Sequence, residues 1–324
     1  MKLGIVILNW NGKNLLNKFL PSLIRFTPSN FNIYIIDNCS SDKSVEFITK
    51  KYINIKIIKL DKNYGFAKGY NMGLKDIDDE ILCLINNDVE VTKDWTKSIL
   101  NQFKNESKTG VIQPKMMNYY KRDYFDYAGA AGGFLDKYGY PYCRGRVYNK
   151  IEKDNSQYDK SSEIFWACGA CFFIRNKLFK EMSGFDELFW AHMEEIDLCW
   201  RIKNNGYSIK FNHESIIYHV NAGTLKKDNP YKTYLNFRNK LFMLVKNSKN
   251  NIFILLLEKF FIDLFISVYI LINKGFKHFL AIFRAYFSLC THINLLLEYR
   301  KKNKREIKHY EIKSIMLYYL KLKR

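Results

Sequence analysis

Residues 81–91 read ILCLINNDVEV, five apolar residues followed by two asparagines and an aspartate. A run of five is too short for a buried helix, and its Ile and Leu content suits a strand covered on both faces. Toward the N-terminus, Leu3–Leu8, Ile33–Ile36 and Ile55–Leu60 are short runs of the same kind as Glu80–Ile85. Between them, 15–26, 42–51 and 67–76 carry apolar residues at helical spacing, and Asp42 follows a serine pair suited to capping a helix. Alternating strands and helices predict βαβ units, hence an α/β fold with a mainly parallel central sheet flanked by helices.

In such sheets ligands lie at the carboxyl ends of the strands. Each run here ends in polar residues: Asn9, Trp10 and Asn11; Asp37 and Asn38; Asp61 to Asn63; Asn86, Asn87 and Asp88. Any one group is ordinary turn chemistry. Four at one sheet edge predict a crevice. The chain carries no GxGxxG or Walker lysine motif. A diphosphate bound there needs another source of positive charge, and Asp88 is placed to hold a divalent cation that shares its shell with phosphates.

The chain has 324 residues, 48% of them hydrophobic and 26% charged, which excludes disorder and supplies a full core. Five prolines and 16 glycines leave little material for long linkers. Net charge is +20, and most of it lies late: residues 225–324 hold 21 basic against 6 acidic side chains. The seven cysteines lack regular spacing and fit a reducing compartment. Cys168 and Cys171 form the one CxxC pair and lack the second pair that a zinc site requires. Leu3–Leu8 is too short for a signal-peptide core, so no secretion signal is expected.

VILNWNG (6–12), IIDNCSSD (35–42), NYGFAKGYN (63–71) and NNDVEV (86–91) resemble, in this order, the inverting nucleotide-sugar glycosyltransferases of family 2, which have the GT-A fold. WACGACFFIR (166–175), GFDELFWAHMEEIDLCWR (184–201) and IYHVNAGT (217–224) look like that family's catalytic half. YLNFRNKLFML (234–244) points to its rhamnosyltransferase-like branch. The resemblance covers roughly residues 3–245 and implies a GT-A domain over 1–245, with 246–324 as a basic helical extension.

It also implies roles. Asp37 would bind the base or ribose. Asn9, Asn11, Asn38, Asn63, Gly65, Gly69, Asn71, Asn86, Asn87 and Asp88 would line the nucleotide sugar. Asp88 and His219 would hold Mg²⁺ or Mn²⁺, with Asn86 standing where the family often has an acid; a packed strand-end histidine is the other reading of His219. Glu195 would be the base that takes the acceptor's proton, with Glu194 as the fallback and Asp197 paired either with the acceptor or with Arg201, four residues on along one helix face. Three acids at a helix start are also favoured by the helix dipole alone. Trp166, Gly169, Ala170 and Trp190 are assigned to the acceptor side, although core packing explains the tryptophans equally well.

The expected reaction moves a sugar from a nucleotide-diphosphate donor, such as dTDP-rhamnose or a UDP-sugar, to a saccharide or lipid-linked acceptor in cell-surface polysaccharide synthesis. A nucleotide-sugar-binding protein that has lost catalysis is the alternative, kept open by Asn86 and Glu195. Ile252–Ile272 is long enough to span a bilayer but contains Glu258, Lys259 and Asp263, which are costly at hydrocarbon depth. The tail is therefore expected to lie on an anionic membrane, placing the protein in the cytoplasm on the inner face of the cell membrane. A homo-oligomer contact is the competing use of the tail, and no nucleic-acid signature is present.

Overall fold

The computed structural model describes residues 1–221 and 228–322; the last three residues of the 217–224 motif lie outside them. The first half alternates as the pattern predicts: β1 (Leu3–Asn9), α1 (Lys13–Phe26), β2 (Asn32–Asp37), α2 (Ser44–Lys51), β3 (Lys56–Lys59), α3 (Gly65–Gly73), β4 (Ile81–Ile85), β5 (Val89–Val91) and α4 (Lys97–Asn105). β1, β2, β3 and β4 run parallel. In α1 the buried residues are Leu16, Phe19, Leu20 and Leu23, one helical stripe laid on the sheet.

The second half completes the sheet from its other side. β6 (Thr109–Asn118) leads into a small antiparallel sheet of β7 (Gly133–Leu135), β8 (Pro141–Cys143), β9 (Arg146–Val147) and β10 (Lys150–Ile151). Then come β11 (Ser162–Ile164), β12 (Cys171–Arg175), α5 (Asn176–Glu181), α6 (Glu194–Asn204) and β13 (Ser208–His219). The large sheet has the order β11-β13-β6-β12-β4-β1-β2-β3, with β5 paired to the end of β13. β12 enters antiparallel between β4 and β6.

Two of these pairings bring distant residues to the crevice. Cys171 lies opposite Ile85, so the turn before β12 sits beside the residues after β4, and the Asn86 amide donates to the Ala170 carbonyl at 2.9 Å. His219 lies opposite Val89, so the end of β13 meets Asp88; the Val220 amide donates to the Asp88 carbonyl at 3.1 Å.

The chain ends in α7 (Pro230–Asn247), α8 (Ile252–Lys274), α9 (Phe276–Lys302) and α10 (Ile315–Leu322). The boundary drawn at residue 245 falls in the last turn of α7, and the helices beyond it pack back on the domain. Arg300 donates to the carbonyls of Val245, Ser248 and Asn250, and the Ile315 amide donates to Asp136. Leu255, Ile282, Leu289 and Leu296 join the same hydrophobic core as the sheet.

α8 shows a reversed pattern. The charges that make it a poor membrane span, Lys259 and Asp263, are fully buried with Ser267, while beyond the buried Ile252 and Leu255 of its first turn a row of large apolar residues faces outward. Lys259 and Asp263 pair with each other at 3.2 Å, and Asp263 also accepts from the hydroxyls of Tyr140 and Tyr286. Burial by itself would be prohibitive; the internal partners offset it. Glu258 pairs with Lys137. Among the described residues, α9 is the helix long and apolar enough to cross a membrane, and a third of that stretch is buried against the protein.

Candidate active site

The strand-end residues anticipated from sequence gather at one edge, and many serve as scaffold. Asn9 is fully buried: its Nδ2 donates to Ser40 Oγ at 3.2 Å and Ser44 Oγ at 3.0 Å, and its Oδ1 accepts from Asn87 Nδ2 at 3.0 Å. A Cβ at Gly12 would collide with both of those amides, so the loop closes this tightly only with glycine there. Asn11 Oδ1 accepts from the Ser41 amide at 2.8 Å. Asp42 accepts from the amides of Lys13 and Ser44, capping the starts of α1 and α2 together. Asn38 accepts from the Tyr64 amide and donates to Asn63 Oδ1 and the Gly65 carbonyl. Asn71 is bound in both directions to the backbone of Phe185. Gly69 sits where a side chain would press on Leu8 and Asn38. These amides shape the crevice; their own hydrogen-bonding groups are largely occupied.

Asp37 differs. It is 4% exposed, its Oδ2 accepts from the Ser40 amide at 3.1 Å, and its Oδ1 is a buried oxygen with no partner among the described residues. An orphaned buried carboxylate oxygen is expensive, and a ligand hydroxyl or imide N–H would satisfy it.

At the opposite side, His219 Nε2 lies 3.2 Å from Asp88 Oδ1, and its Nδ1 lies 3.3 Å from Asp126 Oδ1, a charge contact and not an aligned hydrogen bond. Burial would depress the imidazolium, but the flanking carboxylates of Asp126 and Asp88 outweigh it and hold the ring up at about 10. Asp126, fully buried, is fixed by the amides of Ala128 and Gly129 and by Asn221 Nδ2. Among the described residues no three His, Cys, Asp or Glu side chains form a closed metal set. The Asp88 carboxylate and, once a cation displaces the proton held on the ring, the His219 Nε2 fit a Mg²⁺ or Mn²⁺ that completes its shell with phosphate oxygens and water.

The acids of α6 separate into two groups. Glu194 and Glu195 each keep one buried carboxylate oxygen without a partner among the described residues. Burial, then the neighbouring charge of Glu195, push Glu194 well above the usual carboxylate range. Burial pushes Glu195 up to about 7, against the lowering pull of backbone amides that include Gly169. Glu195 also faces Gly169, where a Cβ would lie 3.7 Å from its Cδ and 3.4 Å from Phe66 Cζ. A carboxylate tuned near neutrality is what a general base requires.

Asp197 takes the Arg201 pairing, one of the two roles its sequence position allowed, which corrects its placement among the catalytic acids. It is fully buried, with Oδ2 on Arg201 Nε at 2.8 Å and Oδ1 on Lys246 Nζ at 2.9 Å and Asn247 Nδ2 at 2.7 Å. No oxygen remains for an acceptor. Trp166 is corrected too: it is 3% exposed, packs on Gly133 and donates to the Phe134 carbonyl, so it offers no face to a sugar. Ala170 is buried and acts through the carbonyl that receives Asn86. Trp190 is 44% exposed, with its indole Nε1 only 2.9 Å from where a Cβ at Gly65 would stand, and Gly65 has φ +74°. It lies over the 63–65 loop, with the Tyr231 ring tilted 6.3 Å from its own.

A continuous path links both halves. Asp126 binds the Gly129 amide; Gly129 packs on Cys168; and Cys168, whose thiol is driven well up by burial and then by the charges of Glu195 and Asp126, precedes Gly169 beside Glu195. Gln113 bridges the same segment, accepting from the Cys168 amide and donating to the Gly129 carbonyl. Asn239 of α7 donates to the carbonyls of Ala191 and His192, bracing the turn into α6, where His192 and Met193 both have positive φ. Asp126, Gln113 and Asn239 were missed from sequence, because an isolated polar residue in an irregular or helical stretch carries no periodic signal.

The sequence model described as Glycosyl transferase family 2 matches residues 4–183. A low-salt glycan biosynthesis hexosyltransferase of Haloferax volcanii is 22% identical over 64% of this chain and 64% of its own. An N-acetylglucosaminyl-diphospho-decaprenol L-rhamnosyltransferase of Mycobacterium tuberculosis is 20% identical over 70% of this chain and 78% of its own. Among solved structures, GalNAc-T7 with UDP, GalNAc and Mn²⁺ aligns with a TM-score of 0.62 at 16% identity, covering 77% of this chain and 48% of that one. S. aureus TarS with UDP-GlcNAc gives 0.53 at 17%, covering 79% and 69%. The chain thus spans less than two thirds of the Haloferax relative and about half of GalNAc-T7. The fold is GT-A: the mixed, mostly parallel sheet with flanking helices and a C-terminal helical region.

Proposed function

The chain belongs to glycosyl transferase family 2, and from that premise we propose that it transfers a sugar from a nucleoside diphosphate donor to a hydroxyl of a saccharide or lipid-linked acceptor in cell-surface glycan synthesis, with inversion. The observation that carries this reading is the Glu195 carboxyl, raised to about 7 and keeping an unpartnered oxygen beside Gly169. Glu195 takes the acceptor's proton as its oxygen attacks the anomeric carbon on the face opposite the departing nucleotide. Asp37 offers its orphaned oxygen to the base or ribose. Asp88 and His219 would hold a divalent cation, which supplies charge balance for the departing diphosphate. Trp190 packs on the sugar or acceptor.

The names of the relatives, a hexosyltransferase and an N-acetylglucosaminyl-diphospho-decaprenol L-rhamnosyltransferase, support a hexosyl donor such as dTDP-rhamnose or a UDP-sugar and a lipid-linked acceptor. A lipid-linked acceptor would be met on the inner face of the cell membrane, which supports locating the enzyme there. The test is incubation with a panel of UDP-, dTDP- and GDP-sugars and Mn²⁺. One donor should release its nucleoside diphosphate slowly with water as acceptor. Binding of a donor without any release, even with a lipid-linked saccharide added, would instead mark a binding protein that has lost catalysis.

A further inference from the structure

The reversed polarity of α8 bears on how this chain meets a membrane. Along its outer face run Phe253, Leu257, Phe261, Phe265, Tyr269 and Ile272, each 60–78% exposed and none charged. Its inner face carries Ile252 and Leu255 in the first turn and then Lys259, Asp263 and Ser267, all buried. A helix facing water puts its polar residues outside, whereas a helix facing lipid turns its ionisable residues toward the protein and pairs them there. Asp263 does this, bound by Lys259, Tyr140 and Tyr286.

We propose that α8 lies in the plane of an anionic lipid surface with its outer row among the acyl chains, while its inner row stays fastened to the catalytic domain. This rests on the membrane placement proposed above and adds the element that makes it. Charge selects lipid over a second copy of the chain: residues 225–324 hold 21 basic and 6 acidic side chains, so two such tails repel each other while anionic headgroups attract them. Exposed Lys274 and Lys277 stand at the end of the apolar row, on either side of the Gly275 turn, where headgroups would meet them. At 23 residues the helix is roughly 35 Å long, enough for a broad side-on contact. Spanning the bilayer would require α8 to abandon the Asp263 partners.

The test is co-sedimentation of the full chain with phosphatidylcholine vesicles containing or lacking phosphatidylglycerol, with donor turnover in solution measured alongside. The wild-type protein should sediment with the anionic vesicles and stay bound in salt of roughly 0.5 M, where exposed charges are screened. Exchanging Phe261→Ser and Phe265→Ser together should weaken vesicle binding on the order of a hundredfold, from the apolar surface lost. Lys274→Glu with Lys277→Glu should weaken it on the order of tenfold in low salt only. Both pairs should keep donor turnover, which shows that they fold and separates failure of this inference from failure of the transferase reading. Absence of vesicle binding, wild-type binding by the phenylalanine variant, or a soluble dimer that this variant splits would each overturn the proposal.

Discussion

The imidazole of His219 stands 3.2 Å from the carboxylate of Asp88, and the two meet only because β5 pairs antiparallel with the last residues of β13. A nitrogen and an oxygen donor are thereby presented together from segments more than a hundred residues apart in the chain. Asp126, on the far side of the ring, adds a second carboxylate 3.3 Å from Nδ1.

Donor turnover is expected to stop when divalent cations are removed with EDTA and to return with Mn²⁺. Asp88→Ala should not be restored. Asp126→Asn, which alters only the group behind the histidine, should raise the Mn²⁺ concentration needed on the order of tenfold. Manganese titrations of turnover decide this, and full activity in EDTA would sink the assignment.

Glu195→Gln should lower transfer by about 10²- to 10⁴-fold while donor affinity, read by calorimetry, stays near the wild-type value. Glu194→Gln should do less. Glu194 is 5% exposed, and burial, then the charge of Glu195, push it well above the usual carboxylate range. If Glu194→Gln proves the more damaging, the roles of the two acids are exchanged.

The raised position of Glu195 has a kinetic and a thermodynamic consequence of opposite sign. A base must be ionised, so transfer should fall on the acid side of about 7. For stability, a carboxyl raised in the folded state favours folding at pH below its ordinary value, and that advantage is lost as pH rises through about 7. Glu195→Gln should therefore melt higher than wild type at pH 8, by roughly 2–4 °C for each kcal/mol relieved, and the gap should close toward pH 4. Paired melting curves at both pH values test the sign directly.

The four parallel strands were legible because sheet strands spell themselves as short Ile- and Leu-rich runs, although β3, at the sheet edge, is only half-buried, and Asn9, Asp37 and Asp88 were legible as polar strand ends. The antiparallel entry of β12 was not, since CFFIR reads the same in either direction and its partner Ile85 is 86 residues away. Nor could the roles of Asn38 and Asn71 be read, because each is decided by a remote backbone, Tyr64 or Phe185. Composition showed that α8 mixes charge with apolar residues but not which face turns inward. That depends on Tyr140 and Tyr286, which come from outside it. Trp166 and Trp190 looked alike in sequence; one fills the core and the other lies over the crevice.

Asp197 tests whether proximity in sequence to a catalytic acid means participation. It sits two residues after Glu195, yet it anchors α6 to α7 through Lys246, which also pairs with Asp186, and through Asn247. Burial alone would raise its carboxyl, but Lys246 and Arg201 hold it below the usual range. The stability it contributes is thus present above the ordinary carboxylate range and disappears as pH falls through its folded value. Asp197→Asn leaves Arg201 and Lys246 short of one buried countercharge, a change that costs about 3–5 kcal/mol in comparable pairs. The expected result is a protein that melts earlier near neutral pH, loses less stability on mild acidification than wild type, and keeps wild-type turnover per folded molecule with the same pH profile. A variant that melts normally but has lost turnover would return Asp197 to the catalytic acids.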